Sequence, residues 1–163
     1  MKTIELKNID KTKAWAREFA HTLHAPITVA LHGDLGMGKS EIARAIIQEL
    51  CGADTVVPSP TFTLVQSYVG ADIIRPIDAS AATTLSVAKR PMGQIISAPT
   101  ISHFDLYRIN DISELEEIGL SHAIANDITL IEWPEIAENF LPKNTIHIYI
   151  TEFDGGRKLA YNL

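Results

Sequence analysis

The sequence predicts an α/β fold, a single domain whose mixed central sheet is flanked by helices and ends in an antiparallel hairpin. Three observations lead there. A short apolar run, Ile27 to His32, passes through a glycine-rich turn into a helical repeat of apolar residues, which is how an α/β unit opens. A second compact apolar run, Ile128 to Trp133, has the length and β-branched content of a buried central strand. Near the end, Thr145 to Phe153 alternates, with Ile146, Ile148 and Ile150 on one face, and Asp154-Gly155-Gly156 turns the chain back into Arg157 to Asn162.

Taken in order, Trp15, Phe19 and Leu23, with Ala16 and Ala20 beside them, repeat at helical spacing behind an N-cap candidate, Asp10. They predict a helix over 11–24, ended by Pro26. The strand over 27–32 and the turn from Gly33 to Gly38 come next. Ile42, Ala43, Ile46, Ile47 and Leu50 then mark one face of a second helix, stopped near Gly52. Thr61 to Val69 has strong β-propensity and follows the turn-forming pair Ser59-Pro60.

Residues 70–100 differ in character. They are rich in Ala, Ser and Thr, contain Pro76, Pro91 and Pro99, and carry no sustained pattern. We read them as an insertion in the single domain spanning 1–163, with Ile95-Ile96 a candidate strand of a long hairpin. Ile101 to Tyr107 returns to a strand pattern. Ser113 and Glu116 match a capping box, and Gly119 would close the short helix behind it. There is no internal repeat.

Composition sets outer limits on function. Across 163 residues, 46% are apolar and 21% charged, which suits a folded chain with its own core. Fourteen Lys and Arg against twenty Asp and Glu leave a net charge of −6. That excludes a broad basic surface for gripping nucleic acid, because phosphate neutralisation needs clustered cations. The lone Cys51 builds neither an internal disulfide nor a cysteine-based metal site. The first residues lack the apolar core of a signal peptide, and no apolar stretch is long enough to span a bilayer. A cytoplasmic protein with no membrane segment is the expectation.

Chemistry concentrates at 33–40, Gly-Asp-Leu-Gly-Met-Gly-Lys-Ser, which fills every fixed position of G-x-x-x-x-G-K-[ST]. Gly33, Gly36 and Gly38 allow a tight turn whose amides point inward at phosphate oxygens. Lys39 reaches the β- and γ-phosphates as a point charge, and the Ser40 hydroxyl is the expected ligand of Mg²⁺. The helix that begins here adds the positive end of its dipole. Because the motif lies between a predicted strand and a predicted helix, the fold reads as P-loop NTPase-like.

Such a loop needs a carboxylate for the magnesium shell, usually at the end of a neighbouring strand. Glu132, after Ile128-Thr129-Leu130-Ile131, and Asp105, in the run 101–108, are the two candidates. One would serve the metal and the other would position the attacking water or acceptor. Thr61 and Thr63 are candidates for sensing the γ-phosphate, though both equally suit a strand. Arg108 or Arg157 would offset phosphate charge. His32 and His103 flank the site without a metal-binding spacing, and Trp133 would stack on a base or simply pack.

Taken together, 33–40, Ser59-Pro60-Thr61-Phe62-Thr63-Leu64-Val65, His103-Phe104-Asp105-Leu106-Tyr107-Arg108 and Ile131-Glu132-Trp133-Pro134-Glu135 resemble the TsaE (YjeE) family. Its members are bacterial ATPases of tRNA threonylcarbamoyladenosine biosynthesis. The final Gly155-Gly156-Arg157 and the helix before the first strand fit as well, so the resemblance covers nearly all of the chain outside 70–100. It implies an ATP- and Mg²⁺-dependent accessory ATPase, weak alone, that works beside TsaB and TsaD and is not itself the transferase. The tRNA, modified next to its anticodon, would be held elsewhere in the complex. Carried onto matching positions, Leu35, Gly36, Met37, Gly38, Lys39 and Ser40 would hold the phosphates. Ser40 and Glu132 would hold Mg²⁺, and Asp105 would be essential for hydrolysis. Thr61 or Thr63 would lie in a switch-like segment, and Gly156 near the nucleotide.

The chain departs from the family pattern twice. Ser40 stands where threonine is usual, and either hydroxyl serves magnesium. The stretch 70–100 replaces a short hairpin turn, as a flap near a partner or as neutral padding, since long loops cost little stability. The competing function is a small-molecule or nucleotide kinase with the same loop. Kinases usually close an arginine-rich lid, and only Arg75 and Arg90 fall in the insertion. No N-K-x-D guanine signal is present, which favours ATP over GTP.

Overall fold

The computed structural model describes residues 1–70 and 99–163. The Ile95-Ile96 strand candidate, Arg75 and Arg90 therefore lie outside the described residues. Strand β1 (Lys2–Leu6) leads into helix α1 (Ile9–Ala20), followed by β2 (Ile27–His32), α2 (Lys39–Cys51) and β3 (Val65–Val69). After the undescribed segment come β4 (Thr100–Asp105), α3 (Ser113–Glu117), α4 (Leu120–Asn126) and β5 (Ile128–Glu132). A 3₁₀ helix over Pro134–Phe140 and the hairpin of β6 (Ile146–Phe153) and β7 (Gly156–Tyr161) complete the chain.

The strands form one sheet in the order β1-β7-β6-β2-β5-β4-β3. Strand β2 is parallel to both β5 and β6, and β4 is parallel to β5. The outer pairs β3–β4, β6–β7 and β1–β7 are antiparallel. The mixed sheet and the C-terminal hairpin are thus as the sequence predicts. Strands β2 and β5 read as nearly unbroken apolar runs because they are covered on both faces.

Two clusters of buried side chains provide that cover. On one face, Trp15, Phe19, Ile42, Ile46 and Ile47 from α1 and α2 pack with Val29, Leu31, Leu130 and Ile148 from the sheet. On the other, Phe104 and Ile131 pack with Leu115, Leu120, Ala123 and Ala137. Strand alternation assigns the site residues from this division. Glu132 shares its face with Ile128 and Leu130, and Asp105 and His103 share theirs with Ile101, so all three face the side that α2 covers.

Several local expectations are corrected. The first helix starts earlier than predicted, because Asn8 is its cap: the Asn8 side chain accepts from the Lys11 N–H at 3.0 Å, and Asp10 falls inside the first turn. The helix also ends at Ala20, short of Leu23. Residues 60–63 are a turn rather than strand, held by Thr63 and Leu64 N–H groups donating to the Pro60 carbonyl. The capping box belongs to Asp111 and Glu114, not to Ser113 and Glu116. Asp111 accepts from the Ser113 N–H at 2.8 Å, and Glu114 accepts from the Asp111 N–H at 3.0 Å. Strand β1 and helix α4 had no sequence forecast.

The β6–β7 turn holds Asp154 and Gly155 both at positive φ, 45° and 72°, which suits a two-residue hairpin connection. Gly156 behind it has a different reason to be glycine. A Cβ there would lie 2.3 Å from the Leu6 carbonyl oxygen, so only glycine lets β7 pass the β1–α1 junction.

Candidate functional site

The site forms where β2, β4 and β5 end on the same edge of the sheet. The loop 33–38 leaves β2 at Gly33, whose φ of +145° and approach to the Ile150 carbonyl (2.7 Å from where a Cβ would sit) exclude any other residue. The loop runs into α2, whose cap, Gly38, has no side chain to satisfy the first free amides. The free amides and the positive end of the α2 dipole lie together at this helix start, an arrangement suited to an anion.

Lys39, only 4% exposed, donates to the carbonyls of Gly33 and of Asp34, the latter at 3.0 Å. Its Nζ also lies 3.6 Å from the centre of the Trp133 ring. Burial pushes the Lys39 amine below its ordinary pKa, against the opposing charges of Glu132, Glu135, Asp105 and Asp34. Trp133 reaches this position because its backbone adopts φ 56°, which turns the chain sharply out of β5. Tyr107 packs against the same ring, tilted to it, with the ring centres 4.9 Å apart.

Ser40 and Glu132 meet directly. The Ser40 hydroxyl donates to Glu132 Oε2 at 2.8 Å, and His103 Nε2 lies 2.9 Å from Oε1 of the same carboxylate. Glu132 and His103 are both almost fully buried. Asp105 stands beside Glu132 in the parallel register of β4 and β5. Its Oδ2 accepts from the Thr61 hydroxyl at 2.7 Å and its Oδ1 from the Tyr107 N–H at 3.0 Å. Thr61 in turn is 2.7 Å from the Ser59 hydroxyl.

The members of the two candidate pairs, Thr61 and Thr63, Arg108 and Arg157, make different contacts. The Thr61 hydroxyl reaches Asp105, whereas the Thr63 hydroxyl accepts from Gln66 Nε2 at the start of β3, at 3.4 Å. Arg157 donates to the loop carbonyls of Met37 and Gly36 at 3.1 and 3.4 Å, whereas Arg108 lies over the Phe62 ring. Gly156 adjoins the loop through Arg157, which also donates to the Gly156 carbonyl. Leu35 is exposed in the loop. His32 lines a pocket with the loop residues Gly33, Asp34 and Met37, its Nε2 2.9 Å from His147 Nδ1 and its ring stacked on Tyr149.

Sequence reading missed Ser59 and the contact of His103 with Glu132. The second was within reach, because His103 precedes Asp105 by two residues in a strand and must share its face. The oxygen pair also fits a hard cation. Two neighbouring ligands of octahedral Mg²⁺, each about 2.0–2.1 Å from the metal, stand about 2.9 Å apart, and the Ser40 and Glu132 oxygens are 2.8 Å apart. Among the described residues no group of three or more His, Cys, Asp or Glu is arranged to hold a metal by itself. A cation here would complete its shell with water or with oxygens of a bound ligand.

Both the sequence and the fold have likenesses among known proteins. The family model for threonylcarbamoyl adenosine biosynthesis protein TsaE matches residues 6–159. The tRNA threonylcarbamoyladenosine biosynthesis protein TsaE of Rickettsia bellii is 36% identical over 155 residues, 95% of this chain and 90% of that protein. The protein of the same name from Haemophilus influenzae is 35% identical over 140 residues, 85% of this chain and 71% of that protein. The crystal structure of YdiB from Bacillus subtilis superposes with a TM-score of 0.65 over 98% of this chain and 83% of that one. At 22% identity it is a likeness of fold.

Proposed function

The chain belongs to the TsaE family, and from that premise we propose that it binds and hydrolyses ATP with Mg²⁺ as an accessory protein of threonylcarbamoyladenosine modification of tRNA. It acts in the cytoplasm with TsaB and TsaD and leaves transfer of the group to them. The tRNA is reached only through the complex, in keeping with a net charge of −6. The observation that carries the reading is the Ser40–Glu132 oxygen pair at 2.8 Å, set beside a buried Lys39 at the start of α2.

In this reading the loop amides from Leu35 to Ser40 hold the phosphates, and Lys39 exchanges its loop carbonyls for phosphate oxygens. Ser40 and Glu132 hold the magnesium ion, which supplies neutralisation of charge on the phosphate oxygens. Arg157 keeps the loop in shape by holding the carbonyls of Gly36 and Met37 from outside. Asp105, fixed by the Thr61 hydroxyl and the Tyr107 N–H, orients the attacking water. Holding both of its oxygens in place is what makes it a positioned base.

Phosphate release from ATP by the purified protein, alone and then with TsaB, TsaD and tRNA, tests this. Slow release that the partners stimulate is expected, with loss in Glu132→Ala. Lys39→Ala should abolish nucleotide binding, whereas Glu132→Ala and Asp105→Ala should cut hydrolysis far more than binding. Release indifferent to the partners, with phosphate transferred to a small acceptor, would overturn the accessory role in favour of a kinase.

A further inference from the structure

We infer that His103 is a positioning residue for Glu132, setting the plane of the carboxylate that holds the metal; this rests on the metal-site reading above. Strands β4 and β5 run in parallel, and their alternation turns His103 and Glu132 toward the same covered face. One oxygen of Glu132 then takes the Ser40 hydroxyl from α2, and the other takes His103 Nε2 from β4, at 2.8 and 2.9 Å. An ionised carboxylate has no proton to give, so the imidazole nitrogen is the donor. With one donor on each oxygen, the side chain has a single orientation left. That matters for Mg²⁺ in particular, because the ion tolerates little departure from octahedral geometry.

Packing alone does not account for this histidine. It is 1% exposed, and its Nδ1 has no hydrogen-bond partner among the described residues. Leaving such a group unsatisfied costs about 1–3 kcal/mol, a penalty that a leucine or phenylalanine would avoid. The polar contact that the ring does make is with Glu132 Oε1. Its neighbours on the strand serve the same site or the core: Asp105 lies two residues on, and Phe104 fills the opposite face.

The test separates metal binding from nucleotide binding. ADP affinity is measured in EDTA, and Mn²⁺ affinity of the protein–ADP complex is followed by the Mn²⁺ EPR signal. For His103→Phe, ADP affinity in EDTA should stay within about twofold, while Mn²⁺ affinity falls about tenfold to a hundredfold, the usual effect of removing a partner behind a metal ligand. His103→Gln, whose amide nitrogen reaches the position of Nε2, should recover most of that loss. If His103→Phe does not fold, His103→Asn replaces it, since its shorter amide cannot reach Glu132. Wild-type Mn²⁺ affinity in the variants overturns the proposal. Equal weakening in His103→Gln and His103→Phe also overturns it, by assigning the effect to the ring's volume. Failure of the unaltered protein to bind Mn²⁺ with ADP overturns the metal-site reading instead.

Discussion

Glu132 and Asp105 are adjacent carboxylates on adjacent strands, and different groups hold them. Glu132 is held by Ser40, itself a candidate metal ligand, while Asp105 is held by Thr61 and a backbone N–H. Thr61→Val should therefore free Asp105 Oδ2 and lower hydrolysis about tenfold or more, within the usual reach of a positioned general base. Nucleotide affinity should barely change, and comparing phosphate release with equilibrium nucleotide binding reads the two separately. His32 carries a pH effect on stability. Burial pushes it below its ordinary value of 6.5, helped by His147 and opposed by Glu135 and Glu138. As pH falls below 6.5 the unfolded chain takes up that proton first, so stability declines toward acid and is regained as pH rises. Thermal melts between pH 5 and 8 should show a shallower decline in His32→Gln than in the unaltered protein. Identical slopes would show that His32 has no part in it.

At the scale of single elements, α1 shows how a cap is decided. Asp10 and Asn8 are both cap formers, but the Asn8 side chain is the one that meets a helix N–H. Asn8→Ala should cost about 1 kcal/mol and lower the melting temperature about 2–4 °C in a chain of this size. Asp10→Ala removes only a first-turn charge and should cost less, about 0.3–1 kcal/mol. A larger effect at Asp10 would reverse that assignment. The same competition explains 61–69, where most of the residues are good strand formers. The Pro60 carbonyl nevertheless captures the Thr63 and Leu64 N–H groups, and pairing with β4 begins only at Val65. That turn is what delivers the Thr61 hydroxyl to Asp105.

For the molecule as a whole, the ends of the undescribed segment are already joined. Val69 pairs with Thr100, and the Gly70 N–H donates to the Pro99 carbonyl at 2.8 Å. Replacing 71–98 by Asn-Gly should therefore close β3 and β4 as a tight hairpin and leave the melting temperature equal or higher, since a shorter loop loses less entropy on closure. A shortened chain that melts earlier would show that the segment supports the sheet. The two-sided core makes a matching point about function. Ile131 packs on one face of β5 while Glu132 serves the site from the other, so a strand buried on both faces holds the carboxylate in place.

Local patterns determined a good deal of this protein. The strand–loop–helix at 27–51, the central strand ending in Glu132 and the closing hairpin each follow from spacing between near neighbours, which the sequence records directly. The glycine-rich loop between β2 and α2 was legible for the same reason, because its motif lies in eight consecutive residues. What needed tertiary structure was every choice between equivalent candidates. Whether Thr61 or Thr63 meets Asp105, and whether Arg157 or Arg108 meets the glycine-rich loop, depends on contacts between segments far apart in the chain. Strand β1 escaped notice because it alternates weakly and is made a strand by its pairing with β7. Propensity is a property of a segment, whereas a hydrogen bond between distant segments exists only once the sheet has set their register.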